Sequence, residues 1–534
     1  MIVDLARQDT DRSLASEVLV VGGGIAGLLL ANKLREYRIR VVVLESGARE
    51  QAEEVHPLNR VVQLGNQYRG ATHGRFRCLG GTSTRWGGAL IAFLDQDLGP
   101  RPHLGLPAWP IGMEAVRPYV TYVESQFGVD SGSYDEEFVR EFSAGKYIPT
   151  GDADFLPRFA KWPAFTRRNV ATLLKHRIEG DADLSVWINA TATSFELDRI
   201  TGQMKSVTAR HPSGRSVKVT AKHVVLCAGA IESTRLLLLL DAQYHRMVFK
   251  DCDALGRFLY DHISLPIAKI DPRKVRELNR TAGFRFAGTT MRSLRFELSP
   301  SAQASDRVTS AFGHISFQAE RPSGFDALRS FLRSLQKSGR IQPSLVLSIL
   351  KELPYFTRLA FWRYFYHQLY WPTPARYELH VVAEQAPRRD NHVALADERD
   401  MFGLPLAAID WRIKQSDCET FWAYMRRFDR FWDRHGFRAI GDLKWLVNPN
   451  YDEVDQIIRG GDVFQPGGTT RMGTNSRSAV VNQDLRTFPV SNLWIASTSV
   501  FPSGGSANLT LMLMLLTMRL AKHLSILIRK SDIP

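Results

Sequence analysis

The sequence predicts an α/β protein with two or more lobes, and three observations support that fold class. A chain of 534 residues is too long for one simple hydrophobic core. Residues 17–46 read as a strand, a glycine-rich turn, a helix and a second strand, which together form a βαβ unit. Residues 186–226 read as further strands, and an apolar helix over residues 231–240 follows them.

The rest of the chain mixes both kinds of element. Residues 266–320 contain the alternating polar and apolar positions typical of strands, whereas residues 325–371 are mostly helical, basic and aromatic. Residues 416–436 predict another helix. Residues 490–502 predict a last strand and a turn before a C-terminal helix.

The composition excludes several classes of protein. With 44% hydrophobic and 23% charged residues, the chain has the profile of an ordinary soluble globular protein. The net charge of +14 suits anionic partners, but no nucleic-acid-binding module is recognisable, so we expect a basic solvated surface and no nucleic-acid partner. The four cysteines form no CxxC pair, which argues against a disulfide scaffold and a structural zinc site, and we expect no metal.

Neither end of the chain predicts a targeting or membrane-spanning segment. The N-terminus is polar and carries acids, and it lacks the apolar core of a signal peptide. The apolar run at residues 509–516 continues to Ile528 with polar and basic interruptions, so we expect a buried helix there. These features favour a cytoplasmic location.

The glycine-rich turn is the first motif that carries chemistry. Gly22, Gly24 and Gly27 match GxGxxG, in which the glycines permit the tight turn, the close approach of a pyrophosphate and the close packing of the helix. The helix N-terminus presents free N–H groups to the phosphates. Glu45 ends the second strand, where a carboxylate binds a ribose diol and disfavours a 2′-phosphate. This context predicts a dinucleotide site of the FAD or NAD type.

Two later segments are dense in glycine and hydroxyl side chains. Residues 79–88 suit either a surface loop or close wrapping of the backbone around a cofactor. Residues 501–510 form a loop that leads into the C-terminal helix, with Ser506 or Asn508 as the expected N-cap.

Six segments, taken in order, resemble the glucose–methanol–choline oxidoreductases, especially their bacterial members and the pyranose oxidase branch. They read GGGIAG with VVVLESG, LGGTSTRWGGAL, VVLCAGAIESTRLLL, EQAPRRDNHVAL, GGTTRMG and NLWIASTSVFPSGGSANLTL. The resemblance spans about residues 16–528 and is weakest over residues 100–185 and 270–375.

The resemblance implies an α+β fold of two lobes. A Rossmann-like lobe that binds FAD is expected from residues 1–265 together with residues 450–534. A substrate lobe with an antiparallel sheet is expected from residues 266–449, and it includes the basic and aromatic insert at residues 325–371.

The resemblance also implies an activity and a set of site residues. The family oxidises alcohols by hydride transfer to flavin N5 beside a general base, and oxygen or another acceptor reoxidises the flavin. Gln465 and Asn508 occupy the two catalytic positions. The cofactor-binding positions are Gly22, Gly24, Gly27, Glu45, Gly81, Thr82, Ser83, Ala192, Ser497 and Asn508.

The catalytic positions depart from the family pattern. Gln465 stands in place of the catalytic histidine, and Pro466 replaces the second histidine that many bacterial relatives carry. A glutamine amide does not titrate, so Gln465 is not a general base. Asp462 is one candidate for a relocated base. The other candidates, which no motif places, are His73, His103, His314 and His367.

Two further departures concern the flavin. Arg85 occupies the position of the histidine that carries the covalent flavin link in pyranose oxidases, so we expect non-covalent FAD. Ser497 replaces an aspartate that contacts the flavin ribityl or phosphate region in many relatives, and its hydroxyl still forms hydrogen bonds.

These motifs predict an FAD-dependent oxidoreductase that acts on a sugar, a cyclitol or another polyol-like alcohol. The alternative suggested by Gln465 is a flavin enzyme of the same fold with non-oxidative or atypical chemistry. A third hypothesis is a protein that keeps FAD structurally and binds a membrane or a partner. We expect residues 325–371 to form a cap with inward-facing aromatic side chains, and peripheral contact with an anionic membrane is the alternative.

Overall fold

The computed structural model describes residues 1–51, 55–141, 147–320, 324–338, 353–447 and 461–531. In chain order, the strands are β1 (Ile2–Asp4), β2 (Arg12–Val21), β3 (Val41–Leu44), β4 (Val61–Gln63), β5 (Phe155–Trp162), β6 (Leu184–Ile188), β7 (Thr191–Leu197), β8 (Met204–Arg210), β9 (Ser216–Leu226), β10 (His262–Pro272), β11 (Arg285–Ala287), β12 (Thr290–Leu298), β13 (Ala311–Ala319), β14 (Ala375–Glu384), β15 (His392–Arg399), β16 (Pro405–Asp410), β17 (Gly441–Trp445), β18 (Gly461–Asp462) and β19 (Leu493–Ile495). The α-helices are α1 (Ile25–Glu36), α2 (Asp95–Leu98), α3 (Val120–Phe127), α4 (Glu136–Glu141), α5 (Val170–Leu173), α6 (Lys175–Gly180), α7 (Gly229–Gln243), α8 (Val275–Ala282), α9 (Pro300–Asp306), α10 (Gly324–Ser338), α11 (Leu353–Phe365), α12 (Gln415–Arg434) and α13 (Leu509–Ser531).

A mostly parallel sheet forms the first layer of the molecule. Its strand order is β1-β6-β3-β2-β9-β8-β7, and β19 also pairs with β9. Strands β1, β6, β3, β2 and β9 are parallel to their neighbours in this order, and β19 is parallel to β9. Strand β8 pairs antiparallel with both β9 and β7. The central strand β3 is buried along its whole length, as its continuous apolar sequence predicts for a parallel strand covered on both faces.

The C-terminal helix α13 completes the core of this lobe. It packs against α1, and its apolar side chains lie in the same core as β2, β3 and β9. The segment Leu509–Lys530 is long and apolar enough to cross a membrane, but 72% of its most apolar stretch is buried inside the protein. Its burial therefore comes from contacts with the protein's own lobe, as the sequence predicts.

An antiparallel sheet forms a second layer. Its strand order is β11-β12-β13-β14-β10-β17, with β5 paired to β12 and β18 paired to β10. One face packs on α12, where Phe296 of β12 contacts Phe428 at 5.6 Å between ring centroids. The parallel sheet and this separate antiparallel sheet confirm the predicted fold class. Strand β5 belongs to the antiparallel sheet although it lies well before residue 266, so the chain enters this sheet earlier than the expected domain boundary.

The described part of the basic and aromatic insert consists of α10 and α11, and residues 339–352 of the insert lie outside the described residues. Near the end of α10, the side chain of Gln336 donates a hydrogen bond to the carbonyl oxygen of Trp86 at 3.0 Å. The helix thus covers the glycine-rich loop at residues 79–88, as expected of a cap.

The aromatic side chains of the insert do not all face inward. Trp362 and Trp371 are buried, as expected. The expectation is wrong for Phe361, Tyr364 and Phe365, of which the last two are 74% and 72% exposed. One turn of α11 therefore presents an aromatic surface to solvent, because the buried side of the helix accommodates only Trp362.

Candidate active site

The turn after β2 has a different environment at each motif glycine. Gly22 has a φ of +112°, and a Cβ there would lie 2.5 Å from the carbonyl oxygen of Cys227. A Cβ at Gly27 would lie 1.9 Å from the carbonyl oxygen of Gly22, so Gly27 permits the close packing of α1. A Cβ at Gly24 would meet no atom within 4 Å. The backbone at Gly24 is therefore open on one side, as the approach of a pyrophosphate requires.

Glu45 lies directly after β3 and is almost completely buried. Its two carboxylate oxygens accept hydrogen bonds from the backbone N–H groups of Gly23 and Gly47, each at 2.8 Å. Burial raises the pKa of Glu45, and these two hydrogen bonds oppose the rise. Glu45 thus braces the glycine-rich turn at the edge where the predicted ribose site lies.

A shallow, open recess lies where the parallel strands end. It is lined by Val21, Gly22, Leu44, Ser46, Arg77, Ala190, Thr191, Ala192, Ala228, Glu232 and Leu236. The recess brings together Gly22 and Ala192, two of the predicted cofactor-binding positions. Mostly apolar walls with a few polar groups at Ser46 and Arg77 fit the adenosine end of a dinucleotide.

Arg77 lines this recess, and the sequence motifs did not identify it. Its guanidinium donates hydrogen bonds to the Ser46 hydroxyl at 2.8 Å and to the Glu232 carboxylate at 2.6 Å. Glu232 also pairs with Arg75 and Arg235, each at 3.0 Å. Burial alone would raise the pKa of Glu232, but the three arginines outweigh it and lower the pKa. The only sequence signal is the pair of arginines two residues apart before the glycine-rich loop.

The predicted flavin loop lies directly against the glycine-rich turn. Gly81, Thr82 and Ser83 belong to a short 3-10 helix, Gly81–Thr84, and a Cβ at Gly81 would lie 2.9 Å from Cα of Gly24. Ser83 is buried, and its hydroxyl donates to a backbone carbonyl three residues earlier at 2.5 Å. Thr82 is exposed. The structure thus brings the two predicted cofactor loops together, with Thr82 on the open side.

Gln465 and Asn508 meet at the start of α13. The Gln465 side-chain oxygen accepts a hydrogen bond from the backbone N–H of Leu509 at 3.3 Å. The Asn508 side-chain oxygen accepts one from the guanidinium of Arg295. Neither amide N–H₂ group donates a hydrogen bond to another described residue, so both remain available as donors. The two predicted catalytic positions therefore supply donors, and neither side chain is a base.

The predicted N-cap of α13 is wrong. The Ser506 hydroxyl has no hydrogen-bond partner among the described residues, and the oxygen of Asn508 is taken by Arg295. The first N–H of the helix is instead satisfied by Gln465, which approaches from another segment of the chain.

Asp261, directly before β10, holds the backbone of Gln465 in position, and the sequence motifs did not identify it. Its carboxylate accepts hydrogen bonds from the backbone N–H of Gln465 at 2.9 and 3.1 Å and from the Tyr68 hydroxyl at 2.6 Å. Burial and the nearby Asp462 raise the pKa of Asp261 to about 8. A carboxylate within the apolar run FLYDHISL was the signal available in the sequence.

The candidate relocated bases lie in different places. Asp462 accepts hydrogen bonds from the backbone N–H groups of Arg69 and Gly70 at 3.1 and 2.5 Å, so its carboxylate faces the protein. His73 and His367 are exposed. The remaining two candidates, His103 and His314, each have one buried ring nitrogen without a hydrogen-bond partner in the described part of the chain.

Only His314 among these histidines lies beside Arg295. It stands on β13, 6.0 Å from the Phe312 ring between centroids, and Arg295 lies 4.0 Å above the same ring. Burial, with His380 and Arg295 nearby, lowers the pKa of His314 to about 3, so the imidazole is neutral at pH 7.

Ser497 follows β19 and is 1% exposed. Its hydroxyl accepts a hydrogen bond from the backbone N–H of Ser499 at 3.2 Å and so stabilises the turn after the strand. The predicted contact with the cofactor stays a prediction.

The loop that precedes α13 is tied to the antiparallel sheet by buried charge. The Glu384 carboxylate accepts hydrogen bonds from the backbone N–H groups of Gly504 and Gly505, each at 2.9 Å, and pairs with Arg101. Burial opposes ionisation of Glu384, but Arg101 outweighs it and lowers the pKa to about 2. A ring nitrogen of His262 lies 2.7 Å from the carbonyl oxygen of Gly505. The sheet thus fixes the position of the loop on which Asn508 lies.

The described residues contain no cluster of histidine, cysteine, aspartate and glutamate side chains that could hold a metal ion. The open side of Gly24, the recess and the loop at Gly81 together fit a dinucleotide cofactor.

Comparisons with known proteins agree with this geometry. Residues 387–517 match the GMC oxidoreductase family model, and residues 20–55 match the model of an NAD(P)-binding Rossmann-like domain. The chain is 22% identical to a 2-methyl-1,2-propanediol dehydrogenase of Mycolicibacterium austroafricanum, over 96% of this chain and 95% of that protein. It is 21% identical to the fructose dehydrogenase large subunit of Gluconobacter japonicus, over 96% and 98%.

Solved structures share the fold at lower sequence identity. The crystal structure of pyridoxine 4-oxidase from Mesorbium loti superposes with a TM-score of 0.60 at 16% identity, over 95% of this chain and 99% of that one. A formate oxidase superposes with a TM-score of 0.60 at 15% identity, over 98% and 100%. At these identities the likeness concerns the fold alone.

Proposed function

We propose that the chain is an FAD-dependent GMC oxidoreductase that acts on CH–OH donors, and that it oxidises a polyol-like alcohol to a carbonyl with Gln465 and Asn508 as the groups that bind the reacting oxygen. The observation that carries this proposal is the pair of amide side chains at the start of α13, whose N–H₂ groups donate no hydrogen bond to another described residue. The names of the diol and fructose dehydrogenases support a polyol-like substrate.

Bound FAD supplies the hydride acceptor, and the side chains of this protein do the rest. Gln465 and Asn508 donate hydrogen bonds to the substrate oxygen and orient the C–H bond. Because neither amide accepts the hydroxyl proton, that proton passes to solvent water. Asp261 holds the backbone of Gln465 in place. A missing general base costs about 10²–10⁴-fold in rate, so we expect slow oxidation of simple alcohols.

Non-covalent binding of FAD is part of the proposal. Arg85 is exposed and stacks at 5.2 Å over the Phe76 ring. An arginine side chain does not form the flavin link that a histidine forms at this position, so the flavin is held by the turn, the recess and the Gly81 loop.

Anaerobic mixing of the FAD-loaded protein with a panel of sugars, cyclitols and short diols tests the function. Bleaching of the flavin absorbance by at least one alcohol, with recovery of the corresponding carbonyl product, is the expected result. If the flavin is reduced by dithionite but by no member of the panel, the alternative of atypical chemistry at Gln465 takes precedence.

A second candidate, peripheral membrane contact, is favoured by the exposed aromatic side chains of α11. Tyr364 and Phe365 are mostly exposed, and Arg358 and Arg363 lie on the same helix. Aromatic and basic side chains together are typical of a helix that lies on an anionic bilayer. Co-sedimentation with liposomes that contain or lack anionic lipid tests this contact.

A further inference from the structure

The antiparallel sheet has one apolar face and one polar face, and the polar face meets the active-site loop. On β12, Leu294, Phe296 and Leu298 point to one side and pack toward α12. Arg295 and Glu297 alternate with them and therefore lie on the other side. Residues that share this polar face are Arg158, Phe312, His314 and Glu384.

Most of the charge on the polar face is paired. Arg158 forms an ion pair with Glu297 at 3.0 Å, and Arg101 forms one with Glu384. Asp97 lies near Glu297, and burial together with that charge raises the pKa of Asp97 to about 7. Arg295 forms no direct ion pair among the described residues. Burial lowers its pKa to about 9 against the opposing charge of Glu297, so the guanidinium is positively charged at pH 7.

Arg295 is a buried cation with unused donor capacity. It is 6% exposed, it donates one hydrogen bond to Asn508 and it lies 4.0 Å over the Phe312 ring. Its second terminal nitrogen, Nη1, is buried and has no hydrogen-bond partner among the described residues. A buried guanidinium without a direct ion pair and with an unsatisfied donor is costly, so we expect a ligand that brings negative charge to bind here.

The groups around Arg295 are hydrogen-bond donors, so they favour a ligand that accepts hydrogen bonds. The free amide groups of Gln465 and Asn508 are donors, and Arg295 has only donors. Among the described residues, the hydrogen bonds of the two amide side chains go to Arg295 and to a backbone N–H, and no carboxylate or imidazole bonds to them. The amides therefore suit the reacting hydroxyl oxygen, and the guanidinium of Arg295 suits a permanent anion beside it. A planar guanidinium matches the geometry of a carboxylate.

We propose that Arg295 is a substrate-binding residue and that the substrate carries a carboxylate beside the hydroxyl group that is oxidised, as in a hydroxy acid or a sugar acid. The proposal rests on the proposed function only for the oxidation itself, since binding of the carboxylate requires no turnover. The basic net charge of +14 favours the approach of such an anion.

Binding of unreactive probes tests the carboxylate site. The FAD-loaded protein is titrated at constant ionic strength with acetate and with acetamide, its neutral counterpart, and the visible difference spectrum of the flavin is recorded. Wild-type protein is expected to bind acetate at least tenfold more tightly than acetamide. Arg295→Gln is expected to lose at least tenfold in acetate affinity and to leave acetamide unchanged.

Two further variants control for the fold. Arg285→Gln removes another buried arginine that has no ion pair among the described residues and bonds only to backbone carbonyls, and it is expected to keep the acetate response. Arg295→Lys keeps the charge and is expected to keep part of the affinity. Equal affinities of the wild-type protein for acetate and acetamide overturn the proposal, even if Arg295→Gln fails to fold.

A second titration separates this inference from the proposed function. Flavin reduction is compared for lactate and propane-1,2-diol, which differ in the carboxylate. Acetate binding without reduction by any alcohol would overturn the proposed function and leave the carboxylate site intact. Reduction by the diol without discrimination between acetate and acetamide would overturn the carboxylate site alone.

Discussion

The substitution Gly24→Ala is expected to weaken cofactor binding strongly while changing the stability of the apoprotein little. In Gly24→Ala the new methyl group meets no protein atom within 4 Å, so the apoprotein is expected to lose roughly 1 kcal/mol or less, from the weaker N-cap preference of alanine. In the proposed site, the same methyl group would stand where the pyrophosphate approaches the backbone. Loss of one hydrogen bond to a charged group costs about 1.5–3 kcal/mol, which corresponds to roughly 10- to 150-fold weaker FAD binding.

Two other glycines complete the experiment. Gly27→Ala places its methyl group 1.9 Å from a backbone carbonyl oxygen, so it is expected to destabilise the apoprotein by about 1–3 kcal/mol despite the better helix propensity of alanine. In Gly180→Ala, at the end of α6, the new methyl group also meets no protein atom, and it lies away from the recess. This variant should change neither the free energy of unfolding of the apoprotein nor the affinity for FAD. Thermal unfolding of the apoprotein and fluorescence titration with FAD measure both effects. Wild-type FAD affinity in Gly24→Ala would refute the reasoning.

Four further predictions concern the catalytic site, the fold, the flavin and the membrane. Gln465→His is expected to raise the rate of anaerobic flavin reduction by about 10²-fold or more and to make it depend on a group with a pKa near 6.5; an unchanged rate at pH 8 would place the base elsewhere. Glu384→Gln is expected to lower the free energy of unfolding by about 3–5 kcal/mol at pH 7. Because the folded-state pKa of Glu384 is lowered to about 2, the stabilisation it provides is fully present above its unfolded pKa and is lost as pH falls toward 2, so denaturant titrations of wild type and variant should converge on acidification. If FAD is bound non-covalently, as proposed from Arg85, acid precipitation should release the flavin into the supernatant, and a yellow pellet would contradict this. The double variant Tyr364→Ser/Phe365→Ser should co-sediment severalfold less with anionic liposomes, and undiminished co-sedimentation would remove α11 as the contact.

Local sequence patterns predicted the parts of the fold that depend on nearby residues. The GxGxxG turn, β3 and Glu45 lie within one βαβ unit, so spacing alone predicted their arrangement, including the position of Glu45 at the end of the strand. The buried C-terminal helix was also predictable, because polar and basic residues interrupt its apolar run in a pattern that suits a helix covered on most sides.

The rest of the site depends on contacts between distant parts of the chain. Arg295 and Asn508 are separated by 213 residues, and Tyr68 and Asp261 by 193. No local rule links such pairs. The N-cap prediction failed for the same reason, since a side chain 44 residues away, that of Gln465, satisfies the first N–H of α13. The one signal was that Asp261 lies in the mostly apolar run FLYDHISL, whereas Arg295 is one of several polar residues of β12 and had no such signal.

The position of β19 in the parallel sheet constrains how the protein is made. This strand pairs with β9, although residues 493–495 are synthesised more than 250 residues later. At about 5–20 residues per second, a ribosome needs on the order of ten seconds or more to supply the missing strand after β9 has emerged. During that interval the edge of β9 and the surface later covered by α13 are without their final partners. Stable binding of a dinucleotide cofactor is therefore expected only after β19 and α13 have been synthesised.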